Sequence, residues 1–146
     1  MTNRVLKEND GSSSNRFCFV LERANRVISR RLNGALRPTG LTSRQLVILG
    51  TIAEHGPLRQ KALAEQLGKD HATVTANLVP LTRRGLVSRE EDGSDRRALR
   101  VSLTRDGNRL LGQARGLVES FEADLGTHLR EEDALGKLCT ALKTLL

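Results

Sequence analysis

Apolar residues recur along this chain with two periods, and the change from one to the other outlines the fold. Between Arg16 and Arg37 they fall at positions 17, 20, 21, 24, 27, 28, 32 and 35, the spacing of an amphipathic helix. Asn15 is placed to cap its start, and Pro38 with Gly40 to stop it. Thr42 opens a second helix. With Gln45 it fits a capping box, and Leu46, Leu49, Ile52 and Ala53 supply a buried stripe before Gly56 and Pro57 end the element. A short third helix over about 59–67 carries Ala62, Leu63 and Leu67, and Gly68 breaks it. Asp70 caps a fourth helix that reaches about Arg84 and ends at Gly85, with Val74, Leu78 and Leu81 on one face. Two short helices joined by so tight a turn form a helix-turn-helix. Pro80 goes against this pattern. It removes the bond to the Ala76 carbonyl, costs about 3 kcal/mol in a helix interior, and predicts a kink that leaves 71–79 as the inserted segment.

The period then shortens to two. Leu86–Glu90 reads as a strand, Glu91-Asp92-Gly93-Ser94-Asp95 as a turn, and Ala98–Leu103 as a second strand with Leu99, Val101 and Leu103 on one face. A hairpin after a helix-turn-helix is a wing, and Arg96 and Arg97 sit at its tip. Thr104 caps a long helix of about 105–125 with a wide apolar stripe, and a last helix starts near Glu131-Glu132-Asp133. In it Leu135, Leu138, Leu142 and Leu145 follow at a spacing of 3-4-3, a two-heptad seam. The fold class is therefore mainly α with a small β-hairpin wing. Residues 1–14 form a polar, mobile tail, 39–104 a winged helix-turn-helix domain, and 15–38 with 105–146 a helical dimerisation region. The outer helices have no partner inside a winged helix, so Phe17, Leu21, Leu135, Leu138 and Leu142 are the expected interface of a homodimer, with a closed monomeric bundle as the other solution.

Charge adds a partner to this outline. The chain has 146 residues, 24 Lys+Arg against 17 Asp+Glu and a formal charge of +7. The excess is +5 over residues 1–58 and +4 over 59–109, while 110–146 carries −2. The basic excess thus belongs to the first two thirds of the chain, and its clustering on one element would point to double-stranded DNA. Single-strand binding by base stacking is nearly closed, because the chain has no Trp, no Tyr and three Phe. Cys18 and Cys139 are far apart and form no CxxC, which argues against a zinc site or a disulfide framework and fits a reducing cytoplasm. No signal peptide or membrane span is visible, so a cytoplasmic location is expected. No phosphate loop, HExxH or GxSxG occurs, and His55, His71 and His128 are scattered. No enzyme, metal or cofactor is expected.

The segments LTSRQLVIL and LAEQLGKDHATVTANLVPLTRRGLVSREEDGSDRRALRVSLTRDG resemble the MarR family of bacterial transcriptional regulators, over about residues 16–146, most specifically from Gly85 to Gly107. The resemblance implies a mostly helical dimer that binds operator DNA and is released by a small phenolic or other organic ligand or by cysteine oxidation. It also implies a pair between Arg97 and Asp70 tying wing to recognition helix. FCFVLERANR resembles the start of the peroxide-sensing branch of that family, whose reactive cysteine falls at Cys18; the tyrosines that hold it there have no counterpart in this chain.

In the DNA reading, the outward face of the fourth helix carries Ala72, Ala76 and Arg83, flanked by Thr73, Thr75, Val79 and Pro80, with Asn77 nearer the core edge. Many family members have Arg where this chain has Ala76, so a bidentate guanine contact from that position is excluded. Thr73, Thr75 and the alanines suit thymine methyls and phosphates, His71 or Asn77 one adenine or backbone contact, and Arg96 and Arg97 a narrow minor groove. Arg59, Lys61, Lys69 and Arg83 are the phosphate candidates. Cys18, near Arg16 and the positive end of its helix, is a redox candidate with Cys139 as resolving partner; the plainer reading of both is a small buried hydrophobe. The competing functional classes are a redox-sensing regulator and a winged helix used for protein–protein contact.

Overall fold

A computed structural model describes residues 17–127 and 134–144. Six helices and three strands follow in the order α1 (Phe17–Ala35), a 3-10 turn (Arg37–Thr39), α2 (Ser43–His55), β1 (Leu58–Arg59), α3 (Gln60–Gln66), α4 (His71–Arg83), β2 (Val87–Asp92), β3 (Asp95–Leu103), α5 (Arg105–Thr127) and α6 (Ala134–Lys143). The expected polar tail, the Asn15 cap, the helix start at Glu131–Asp133 and Leu145 lie outside the described residues.

The local signals act as their chemistry requires. The Thr42 hydroxyl accepts from the Gln45 N–H at 3.2 Å while the Gln45 side chain accepts from the Thr42 N–H at 3.1 Å, closing the capping box. The stripe on α2 is rotated from the expected one: Gln45, Ile48, Leu49 and Ile52 are buried and Ala53 is exposed. Ile48 wins because it stands one turn before Ile52, on the face that meets the sheet side of the core. α1 stops two residues short of Arg37, since the chain tightens into the 3-10 turn around Pro38. There Thr39 is buried and its hydroxyl donates to the Leu36 carbonyl at 2.7 Å.

Sequence periodicity misses one strand. β1, two residues long, pairs antiparallel with β3 and makes a three-stranded sheet in the order β1-β3-β2. Both hairpin strands also run further out than expected. Asp92 faces Asp95 across a turn of Gly93 and Ser94, so Arg96 and Arg97 belong to β3 rather than to the turn. The reason is an Asx-type turn: the Asp92 carboxylate accepts from the Ser94 N–H at 2.9 Å and from its hydroxyl at 2.6 Å, which lets pairing continue to the tip. Of the predicted apolar face, Val101 is fully buried and Leu103 half-buried, whereas Leu99 is exposed near the tip.

The core gathers Leu36, Leu49, Ile52, Leu63, Val74, Leu78, Leu81, Val87, Val101, Leu111 and Ala114. α5 therefore enters the winged helix with its first half. Thr104 caps it by accepting from the Gly107 N–H at 3.0 Å while its own hydroxyl donates to the Gly85 carbonyl at 2.6 Å. Gly107 lies so close to Leu86 that a Cβ there would overlap the Leu86 carbonyl oxygen, which is already bonded to the Thr104 N–H at 3.1 Å. This explains the glycine two residues after Arg105. By contrast α1 and α6 contain no buried residue, and Phe17, Phe19, Val20, Leu21, Val27 and Leu138 are exposed.

Pro80 sits inside α4 without ending it: the ring is exposed, and bonding resumes from the Arg84 N–H to the Pro80 carbonyl at 3.1 Å. The end of α4 is latched by Arg84, whose guanidinium donates to the carbonyls of Thr39 at 2.8 Å and Gly40 at 2.9 Å. Gly107→Ala is expected to destabilise the fold by about 1–3 kcal/mol, the usual cost of overpacking. Urea denaturation checks this, and an unchanged midpoint contradicts the close approach.

Candidate nucleic-acid interface

α4 is positioned by its buried face and by its cap. Val74, Leu78 and Leu81 are at most 1% exposed, which fixes the helix phase and turns His71, Ala72, Ala76, Pro80 and Arg83 outward. The Asp70 carboxylate accepts from the Thr73 N–H at 2.8 Å and from the Thr73 hydroxyl at 2.6 Å. These two bonds hold its carboxyl below the usual carboxylate range. Asp70 and Arg97, both among the described residues, form no ion pair, contrary to the family-based expectation.

The wing is held by a different carboxylate. Asp92, whose side chain is 4% exposed, receives Arg59 Nε at 2.9 Å and lies 3.8 Å from Arg100 Nη1. Arg59 also donates to the Ser94 hydroxyl at 2.9 Å, and Arg100 donates to the Pro57 carbonyl at 2.8 Å. The turn end of the wing is thus stapled to β1. The Arg59 hydrogen bond, followed by those from Ser94, drives the Asp92 carboxyl far below its usual range, and Asp92 in turn raises the Arg59 guanidinium. Arg59, expected as a phosphate ligand, is thus also an anchor of the wing, with its side chain 47% exposed. Lys61, Lys69, His71, Arg83 and Arg97 are exposed as expected, and among the described residues Lys61, Lys69, Arg83 and Arg97 carry no carboxylate partner. Arg96 stands next to Arg97 on β3.

The polar residues of α4 differ most from expectation. The Thr75 hydroxyl donates to the His71 carbonyl at 2.8 Å and accepts from Gln60 Nε2 at 2.6 Å. Asn77 Nδ2 donates to the Thr73 carbonyl at 2.8 Å. Of the nominated His71, Thr73, Thr75 and Asn77, the last three thus also bond within the protein. Gln60, 3% exposed, also accepts from Arg89 Nη2 at 2.8 Å. Neither Gln60 nor Arg89 stood out in the sequence, because no local motif relates positions 29 residues apart.

Cys18 on α1 and Cys139 on α6 are both free and exposed, so within one chain neither is a buried hydrophobe. A cleft of about 310 Å³ lies between α2 and α5, lined by Leu46, Gly50, Glu54, Leu111, Arg115, Val118 and Glu119. A more polar one of about 410 Å³ lies between α1 and the start of α2, lined by Glu22, Asn25, Arg26, Ser29, Arg30, Asn33 and Arg44. No group of three or more His, Cys, Asp or Glu suited to a metal occurs among the described residues, and none of the described helices is long and apolar enough to cross a membrane.

A capped helix-turn-helix followed by a stapled wing, between long helices, defines the class of winged-helix regulators. The model of the MarR family matches residues 39–98. The organic hydroperoxide resistance transcriptional regulator of Bacillus subtilis is 32% identical over 132 residues, covering 90% of this chain and 88% of that protein. A mutant of MarR from Escherichia coli complexed with operator DNA is 27% identical with a TM-score of 0.78, covering 87% of this chain and 91% of that one. The transcriptional regulator MosR of Mycobacterium tuberculosis in complex with DNA is 27% identical with a TM-score of 0.74, covering 90% of this chain and 96% of that one. The chain belongs to the MarR family of transcriptional regulators. The relatives are named as regulators, not enzymes, which supports a non-enzymatic reading at the level of the family.

The Asp92 staple has a pH signature. A carboxyl held low in the folded state stabilises it above the unfolded value of about 3.9, and that contribution fades as pH falls toward the folded value. The stability difference between the native chain and Asp92→Asn is expected to be largest near neutral pH and to shrink below about pH 4. Urea midpoints measured from pH 7 down to 3 test this; a difference independent of pH contradicts it.

Proposed function

We propose that this protein is a transcriptional repressor that binds a palindromic operator as a homodimer and is released by a small organic ligand. Residues 39–104 form the DNA-binding part, and 15–38 with 105–146 the dimerisation region. Each protomer lays α4 into a major groove and braces its wing, with Arg96 and Arg97, along the neighbouring minor groove. The observation that carries this reading is the set of exposed cations around α4. Lys61, Lys69, Arg83 and Arg97 have no carboxylate partner among the described residues, while Arg59 and Arg100 are neutralised by Asp92 to hold the wing. Cations left unpaired beside an outward helix suit phosphates. DNA-bound relatives of the same fold support it.

Dimerisation is supported by α1, which buries none of its residues and leaves Phe17 56% and Leu21 37% exposed, and by α6, where Leu138 is 48% exposed and Leu135 and Leu142 are half-buried. An effector has room in the cleft between α2 and α5, where the winged helix meets the long helices, and the lining there offers aliphatic contact without aromatic stacking. The protein works in the cytoplasm, where its operator is.

A second reading of release has its own support. The relative named for organic hydroperoxide resistance, together with the exposed Cys18, favours oxidation of that thiol, with Cys139 as its resolving partner. Loss of DNA binding under mild peroxide, retained in Cys18→Ser, tests it.

Arg97→Ala is expected to weaken operator binding more than about tenfold while leaving the circular dichroism spectrum unchanged. Binding of the native chain is expected to fall steeply with salt, by about 0.9 log unit per log unit for each phosphate neutralised. Gel-shift titrations decide both. Salt-insensitive association with a protein partner and none with duplex DNA would instead mark the wing as a protein–protein module.

A further inference from the structure

The recognition helix turns its threonine hydroxyls and the Asn77 amide nitrogen inward, leaving the Asn77 side-chain oxygen and the exposed His71 and Arg83 as its outward polar groups. Thr73 bonds its cap, Asn77 bonds the Thr73 carbonyl, and the Thr75 hydroxyl both donates to His71 and accepts from Gln60. A hydroxyl has one proton to give, and that of Thr75 is already given. What α4 has left to present between His71 and Arg83 is largely apolar: Ala72, Ala76 and Pro80, all exposed, and the threonine methyls.

The Thr75 arrangement is imposed from outside the helix. Gln60 is buried at the start of α3, and its amide has one workable orientation. Its oxygen faces the Arg89 guanidinium at 2.8 Å, so its nitrogen must face Thr75 at 2.6 Å. The reverse orientation sets donor against donor at Arg89. Both ring nitrogens of His71 lie 3.5 Å from the same amide nitrogen, so the first turn of α4 is gathered around it. Arg89 has no carboxylate partner among the described residues, and its Nε is buried without a hydrogen bond, leaving Gln60 as the acceptor that holds it.

On the proposed DNA reading, on which this rests, we infer that Gln60 and Arg89 are positioning residues for sequence recognition: they keep the Thr75 hydroxyl off the reading surface, so that α4 selects operators by thymine 5-methyl groups. Thymine is the one base that offers a methyl in the major groove, and an apolar side chain meets it without leaving a polar atom unpaired. Without the Gln60 amide only the bond to the His71 carbonyl holds the Thr75 hydroxyl, and its turning outward puts a donor and acceptor back on that surface and changes which base is preferred beneath it.

The test uses the full chain and duplexes selected from a random pool. Replacing thymine by deoxyuridine in the selected half-sites removes only the methyl, and a loss of about threefold to fourfold per contacted position is expected. Gln60→Leu is expected to shift the preferred base at one position in each half-site and to blunt the deoxyuridine penalty there. The double variant Gln60→Leu/Thr75→Val, lacking the released hydroxyl, is expected to regain the native preference. Gln60→Glu, whose carboxylate accepts from both Arg89 and Thr75, is expected to keep it. Arg89→Met frees the Gln60 amide by a second route and is expected to shift the same position, which serves if Gln60→Leu does not fold. A merely structural role lowers affinity for all duplexes alike and moves no base preference. Deoxyuridine sites bound as tightly as thymine sites, or an unchanged preference in both Gln60→Leu and Arg89→Met, overturn the inference. If the native chain selects no duplex at all, the DNA reading itself falls and this inference with it.

Discussion

The phase of α4 is the constraint on which the rest of the molecule depends. Val74, Leu78 and Leu81 are fully enclosed by the core they share with Leu63, Val87 and Val101. Rotating the helix by one residue would swing all three out of the core and put Thr75, Val79 and Thr82 in their places, at a cost of several buried methylenes of about 0.8 kcal/mol each. The outward set of His71, Ala72, Ala76, Pro80 and Arg83 is therefore a consequence of core packing. Arg84 reinforces the phase by holding the far end of the helix to the turn at Thr39 and Gly40. Asp70 does the same at the near end.

Around that helix the charges divide by task. Where a cation has to fix geometry, as Arg59 and Arg100 do at the turn end of the wing, the buried carboxylate of Asp92 is shared between them. Where a cation is turned outward, at Lys61, Lys69, Arg83 and Arg97, the described residues supply no counter-charge. A basic net charge alone does not separate these groups, because Arg59 and Lys61 stand two positions apart in the same short segment. Only the reach of Asp92 across the sheet distinguishes them. Arg89 belongs to neither group: its partner is a neutral amide, and what it supplies is the orientation of that amide.

The long helices follow a different economy. α5 is shared, its first half buried on the winged helix through Leu111 and Ala114 and its second half facing away. α1 and α6 leave their apolar residues uncovered. Among the described residues the winged helix buries its apolar side chains within one chain while the helical arms leave theirs exposed, and this difference is the basis for proposing a second copy as their partner.

What could be read from the residues alone is what is written over a few neighbouring positions. The Thr42–Gln45 box, the Asp70 and Thr104 caps and the glycine stops depend on contacts at most four or five residues apart, and the stripe on α4 and the hairpin strands on a regular period, so motif and period expose them. The family resemblance came from the same short runs. What only the tertiary structure decided is how each polar side chain is used: Arg59 with Asp92 across 33 positions, Arg84 with Gly40 across 44, Gln60 with Thr75 across 15. The missed strand β1 and the failed Asp70–Arg97 pair are of this kind, whereas the extension of the wing to Asp92 and Asp95 follows from a turn bond only two residues long. A hydrogen bond between distant positions exists only once the core has set both backbones, and a side chain satisfied there is withdrawn from the surface that its sequence position suggests.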